Sequence, residues 1–261
     1  MRLFDQPWAL WILFVLLFLV LLTVVEIGCR LRSLVSAEFD EERHSQVEAA
    51  RDGLGILLSL LLGFMLPLGL PHYDQRKQLI VEEANAIATT SLRAQVLPEP
   101  ARSKIQELLR EYVNLRIGYL ALELDQQHLR ASLSQAKQLQ NQIWLQGAEI
   151  ARQAPSTNTS IFLQSLNEVI DLSEKRLAAL EHRIPRAIWL MLILISLLTC
   201  LVVGYSMRQR ILLAMIVSPL MVAIVLGLVA DLDSPRTGLI QVEQRSMERL
   251  QMDLNATTAK P

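Results

Sequence analysis

Tyr73-Asp74-Gln75-Arg76-Lys77 and Val81-Glu82-Glu83-Ala84-Asn85-Ala86-Ile87 concentrate the most chemically capable side chains of this 261-residue sequence. Helical spacing sets Glu83 beside Leu79, Ile80, Ile87 and Ser91, an otherwise apolar stripe. A carboxylate in that company is costly unless it is paired or hydrogen-bonded. Two readings follow. Tyr73, Asp74, Arg76, Glu82, Glu83 and Asn85 line an ion path or vestibule, or Glu83 forms an ion pair with an arginine of another helix and locks helices at a membrane edge. A second polar block is Asp231-Leu232-Asp233-Ser234-Pro235-Arg236-Thr237-Gly238. Its Ser-Pro and Gly signal a tight turn. Two carboxylates one residue apart can offer oxygens to calcium, but two are too few and no EF-hand spacing is present. A helix-ending turn with solvated acids is the simpler reading. If both blocks lie on one membrane face, Asp231, Asp233 and Arg236 join the first cluster.

Catalysis finds little footing. The four histidines, His44, His72, His128 and His182, have no mutual ligand spacing. Neither a serine nor a cysteine sits in a nucleophile motif, so no enzyme, metal site or cofactor is expected. Cys29 and Cys200 cannot build a disulfide framework and read as small packing residues. Glu26, just before Ile27-Gly28-Cys29, argues against a lipoprotein signal, so the first apolar run reads as a retained anchor.

The elements that must position these residues are four uncharged apolar runs: Trp8–Val25, Leu54–Leu70, Ile188–Tyr205 and Ile211–Ala230. An 18-residue helix spans about 27 Å, near the thickness of a bilayer's hydrocarbon core. Each run therefore reads as a transmembrane helix that satisfies its own backbone. The expected fold is all-α and multipass: four transmembrane helices with a helical extramembrane domain inserted between the second and third. Residues 1–71 form an N-terminal hairpin, 72–186 the helical domain, 187–230 a C-terminal hairpin, and 231–261 a turn, short helix and tail.

Within the inserted segment, a helix from about Asp74 to Leu97 continues out of the second span and stops at Pro98-Glu99-Pro100. From Ala101, a stripe of Ile105, Leu109, Tyr112, Val113 and Leu120 predicts a second helical stretch. It is read as continuing, with or without a bend, through Leu129, Leu133, Ala136 and Ile143 to about Arg152. Pro155–Ser160 is the clear loop. Leu163, Ile170, Leu177 and Ile184 then recur every seven residues, with Leu166, Ser173 and Leu180 between, as a packing seam.

The second span carries Gly53, Gly55, Gly63, Gly69 and Pro67, which permit close helix approach. Alternatively Ile56, Leu60 and Phe64, at i, i+4 and i+8, line an apolar constriction around a pore axis. No ionisable residue interrupts a span, which disfavours a proton-coupled transporter. Glu38, Asp40, Glu41 and Glu42 read as solvated surface. Arg208 and Arg210 suit a headgroup or topology role, or an anion-attracting mouth.

With 25 basic and 26 acidic residues, 14 and 13 of them in 72–186, the chain offers no nucleic-acid face. Four spans place both termini and 72–186 on one side, with Trp8, Trp11 and Trp189 at a common interface. Juxtamembrane arginines are balanced, so charge does not choose which side is cytoplasmic.

Tyr73-Asp74-x-Arg76-Lys77, Glu82-Glu83-Ala84-Asn85-Ala86-Ile87, Ser91-Leu92-Arg93-Ala94 and Leu97-Pro98-Glu99-Pro100 resemble the bestrophin-like domain family of bacteria and plants. Tyr112-Val113 and Leu232-Asp233-x-Pro235-x-x-Gly238-x-Ile240-x-Val242 continue the match, which runs from the second span to about Leu250. The first span and its loop match by position only. The family is distantly similar to bestrophins, pentameric anion channels with four membrane helices and a helical cytosolic domain between the second and third. The resemblance implies cytoplasmic central helices and termini, the second span along a pore, and a bacterial inner-membrane location. Two departures stand out. Asp231 and Asp233 are the only acids where bestrophins carry a dense calcium clasp, and Phe64 is the only aromatic among the singled-out second-span residues. Two functions are thus expected: an oligomeric channel-like protein passing small anions, or a non-conducting scaffold or sensor in the lipid bilayer whose helices bind an unidentified protein.

Overall fold

The computed structural model describes residues 9–35, 41–121, 126–153, 155–207, 210, 212–234 and 242–256. Every element among them is helical. They are α1 (Ala9–Val35), α2 (Glu41–Ala94), α3 (Ala101–Ala121), α4 (Gln126–Gln153), α5 (Thr157–Glu181), α6 (Arg186–Ser206), α7 (Leu212–Asp233) and α8 (Arg245–Ala256). Among the described residues four helical stretches are long and apolar enough to cross a membrane: Trp11–Leu34 in α1, Ser45–Ala94 in α2, Thr157–Ser206 over α5 and α6, and Met215–Asp233 in α7. The chain divides into two compact units, residues 1–73 with 183–241, and residues 74–182 with 242–261.

In the first unit α1 packs against α6 and α7, and α6 against α7. Its core joins Leu21, Val25 and Cys29 of α1 to Leu58, Leu62 and Met65 of α2, Leu192 and Cys200 of α6, and Ala223, Leu226 and Val229 of α7. Apolar surface alone gives little reason for helices to associate in lipid, so close backbone approach must supply the contact. Gly28 and Gly204 supply it here. A Cβ on Gly28 would collide with the Leu201 carbonyl, and one on Gly204 with the Val25 carbonyl. Cys29 Sγ donates to the Gly204 carbonyl across the same crossing, 3.3 Å away. Thus Gly28 and Gly204 form the tight crossing; a Cβ on Gly53, Gly55 or Gly63 of α2 would meet open space.

Helix α2 is longer than the sequence suggests, with 54 residues and both Pro67 and Pro71 inside it. That is about 81 Å of continuous helix. Neither proline ends it, as is common where neighbouring groups absorb the freed carbonyls of a membrane helix.

In the second unit, a core of Leu79, Ile80, Ile87, Ile105, Leu109, Tyr112, Val113, Ile143, Phe162, Leu166 and Met247 unites α2, α3, α4, α5 and α8. Helix α2 ends at Ala94, three residues earlier than Pro98 alone would place it, and Glu99 accepts from Ser103 N to start α3. The continuous stretch expected from Ala101 to Arg152 is two helices packed side by side. Gln140 reaches Tyr112 at 3.0 Å, although 28 residues of one straight helix would separate them by about 42 Å. Leu120 and Leu129 of that stripe have side chains outside the described set.

Four of the six residues of the expected loop, Thr157 to Ser160, are helix: Ser156 caps α5 by accepting from Thr159 N at 3.2 Å. The seam on α5 also differs. Of the seam, Leu166 and Ile184 are buried while Leu163, Ile170, Ser173, Leu177 and Leu180 are half-buried; the buried face of α5 is Phe162, Leu166, Val169, Leu172, Arg176 and Ala179. A count of apolar residues alone passes over a face that contains an arginine.

Candidate functional site

Glu83 of α2 is fully buried, and two other helices, α3 and α5, reach its carboxylate directly. Arg116 of α3 donates to Oε2 at 2.9 Å and Arg176 of α5 donates to the same oxygen at 2.7 Å. The Tyr112 hydroxyl of α3 donates to Oε1 at 2.9 Å, and Gln140 of α4 donates in turn to that hydroxyl. Arg116 and Arg176 are each 3% exposed, so the entire assembly is withdrawn from solvent. The Arg116 guanidinium also lies 5.9 Å from the Tyr112 ring centroid, within cation–π range.

Burial by itself would raise the Glu83 pKa. The charges of Arg116 and Arg176, and their hydrogen bonds, outweigh it and hold the carboxyl below its ordinary 4.5. The Tyr112 phenol is pushed well above its ordinary 10.0, first by burial and then by the Glu83 charge. Burial and the neighbouring Arg116 charge lower Arg176, while Glu83 opposes them. Glu83 is therefore a carboxylate and Tyr112 a neutral donor at ordinary pH. With every carboxylate contact made to an internal donor, this geometry holds four helices in one arrangement. Glu83 thus forms an interhelical ion pair with Arg116 of α3 and Arg176 of α5.

Of the other residues of that polar cluster, Asp74 and Asn85 are exposed, Tyr73 and Glu82 half-buried, and Arg76 buried. Glu82 accepts from Gln78 Nε2 at 2.8 Å. Glu82, Asn85 and Thr89 of α2 face Gln164, Glu168 and Lys175 of α5 across an open polar groove of about 700 Å³. Asp231 and Asp233 belong to the first unit. There Asp233 Oδ1 accepts from the Ile184 N–H at 2.9 Å, tying the end of α7 to the chain entering α6. Asp231 is buried. Arg236 lies outside the described residues. Among the described residues no group of three His, Cys, Asp or Glu is placed to hold a metal ion, and Asp231 and Asp233 do not form a cation cage.

The sequence singled out Glu83 but not its partners. Arg116 and Arg176 lie 33 and 93 residues away, and Tyr112 was read for its ring rather than its hydroxyl. One signal was available: Arg176 falls on the same helical face as Phe162, Leu166 and Val169, where an unpaired arginine would be untenable.

Ile56, Leu60 and Phe64 share one face of α2 and are 71%, 55% and 60% exposed. Leu58, Leu62 and Met65, on the other side of the helix, are buried in the first unit's core. The three residues thus form an apolar ridge that is exposed among the described residues.

Residues 12–247 match the family model of the Bestrophin-like domain. The chain belongs to that family. The match begins inside α1, so the first span is part of the bestrophin-like unit. The fold resembles a crystal structure of a bacterial bestrophin homologue from Klebsiella pneumoniae, with TM-score 0.67, 14% identity, and coverage of 95% of this chain and 99% of that one. A mutant of that homologue gives TM-score 0.69 and 14% identity over 95% and 97% of the two chains. A further crystal structure, described as a membrane protein, gives 0.66 and 14% over 95% and 99%. No curated protein matches the sequence significantly. At such identities the shared property is the fold, and the bestrophin-like chain is a multipass membrane protein of channel-like architecture.

Proposed function

We propose that this bestrophin-like protein assembles as a ring in the bacterial inner membrane and passes small anions along an axis lined by α2. The observation that carries the reading is the ridge of Ile56, Leu60 and Phe64, left uncovered on a helix whose opposite face is packed. An apolar ridge repeated around a symmetry axis makes a constriction that gates by dewetting. The family membership supports the architecture. In this reading residues 72–186 form a cytoplasmic domain between the hairpins 1–71 and 187–230. Both termini are then cytoplasmic, and Tyr73, Asp74, Arg76, Glu82, Asn85, Asp231, Asp233 and Arg236 border the inner mouth. Glu83 holds the domain together rather than contacting ions.

The test is the full chain purified and reconstituted in liposomes with a chloride gradient. Flux above that of empty liposomes, from a particle of several subunits, is the expected result. A strictly monomeric protein without flux would sink the proposal. The polar groove between α2 and α5 favours a second reading, a non-conducting scaffold whose helices bind a partner protein. Absence of flux together with a stoichiometric partner that is lost on Asn85→Arg would select it.

A further inference from the structure

The end of α1 carries charge onto a surface that is otherwise apolar. Arg30 lies within about 60° of both Ile27 and Leu34 around the helix axis, and those two side chains are 50% and 80% exposed. An arginine on an outward apolar face, with an exposed leucine a further turn along, sits at the level where hydrocarbon meets headgroups. Arg30 Nε donates to Glu26 at 2.8 Å, and Arg210, from the connection between α6 and α7, reaches the same Glu26 oxygen at 3.4 Å. Next to Arg210, Leu212 and Leu213 are again among the most exposed apolar residues of the chain. Arg32 Nη1 donates to the carbonyls of Tyr205 and Ser206, fixing the end of α6 against α1 and so holding the two exposed arginines together.

One carboxylate is shared by two guanidiniums whose side chains are 71% and 62% exposed. Each guanidinium has five donors and spends only part of its fork on Glu26. We infer that Arg30 and Arg210 form a clamp for the phosphate of an anionic phospholipid headgroup, with Glu26 spacing the two forks. Planar guanidiniums suit phosphate oxygens, and the exposed leucines on either side receive the acyl chains. The unbalanced positive charge favours a lipid with net negative charge over a zwitterionic one.

Native mass spectrometry of the full-length protein, released from micelles doped with phosphatidylglycerol or phosphatidylcholine, tests this inference. The wild type should retain phosphatidylglycerol in preference to phosphatidylcholine. Arg30→Gln or Arg210→Gln should weaken retention roughly fivefold each, and the double variant roughly twentyfold. Glu26→Gln removes the competing carboxylate and should strengthen retention, which separates a lipid clamp from a merely structural ion pair. Equal retention of both lipids, equal retention by the double variant, or weaker retention by Glu26→Gln would overturn the inference. Displacement of phosphatidylglycerol by millimolar inorganic phosphate would also overturn it, by assigning the site to a soluble ion.

Discussion

The two units solve the same packing problem with opposite means. Where α1 crosses α6, the contact rests on absence: Gly28 and Gly204 have no side chains, and the backbones touch. Where α2, α3, α4 and α5 meet, it rests on a dense polar presence, with Glu83 holding Arg116, Arg176 and Tyr112 away from solvent. The difference follows from surroundings. Helices with apolar outer faces gain little from burying more apolar surface, so shape decides which pairs associate. Helices with polar outer faces bury their apolar stripes readily, but such stripes tolerate sliding and rotation. A charge with fixed partners fits one register and penalises the rest, the best-attested role of buried ionic groups.

The sharpest way to break this contrast is at Glu83. Replacing it with Ala leaves two buried guanidiniums without their carboxylate and should cost about 3–5 kcal/mol. Unfolding of the purified chain followed by circular dichroism measures this, and a loss below about 1 kcal/mol would mean the cluster is ornamental. Gly204→Ala comes next. Its Cβ cannot be placed without moving the Val25 carbonyl, so a loss of about 1–3 kcal/mol is expected. Gly63→Ala on α2 meets no neighbour and should instead be neutral or stabilise by up to about 1 kcal/mol. Equal effects of the two glycine variants in thermal melts would remove the distinction between a tight crossing and an open face.

The pH profile adds a smaller effect with a definite sign. Glu83 is held below its ordinary 4.5 in the folded chain, so its contribution is complete above that value and is lost as pH falls beneath it. Tyr112 is shifted above 10.0, so its contribution is present below that value and is lost as pH climbs past it. Stability of the wild type should therefore be flat from about pH 5 to about pH 9 as far as these groups are concerned. Glu83→Gln should flatten the acid limb in melts recorded from pH 3 upward. The smallest effect belongs to the exposed pair Lys137–Glu174, at 2.9 Å: Lys137→Ala should change stability by no more than about 0.5 kcal/mol.

The sequence exposed the elements of the first unit more fully than the contacts within it. Charge-free runs of this length announce membrane helices because a spanning segment must satisfy its own backbone, and their described parts fall in α1, α2, α6 and α7. Which glycines mattered was not legible. Gly53, Gly55 and Gly63 drew attention by clustering, while Gly28 and Gly204 make the crossing from 176 residues apart. In the second unit, the cost of Glu83 could be read locally, but its neutralisation depends on how α3 and α5 pack. The break between α3 and α4 escaped for a related reason: the apolar stripe continues through it at helical spacing, and the packing of α3 on α4, with Gln140 bonded to Tyr112, discloses the reversal. The continuation of the second span past Pro71 was legible, and α2 runs unbroken through both Pro67 and Pro71.

The most direct test of the proposed channel lies on the uncovered ridge of α2. Leu60→Cys can be placed in the full chain, where Cys29 and Cys200 are both buried and shielded from reagent. Chloride flux from liposomes is then recorded before and after a charged methanethiosulfonate reagent. If α2 lines the path, flux is present beforehand and falls by most of its value afterwards, while the wild type is unaffected. Flux that persists unchanged with residue 60 fully modified would put the ridge against lipid and contradict the central claim.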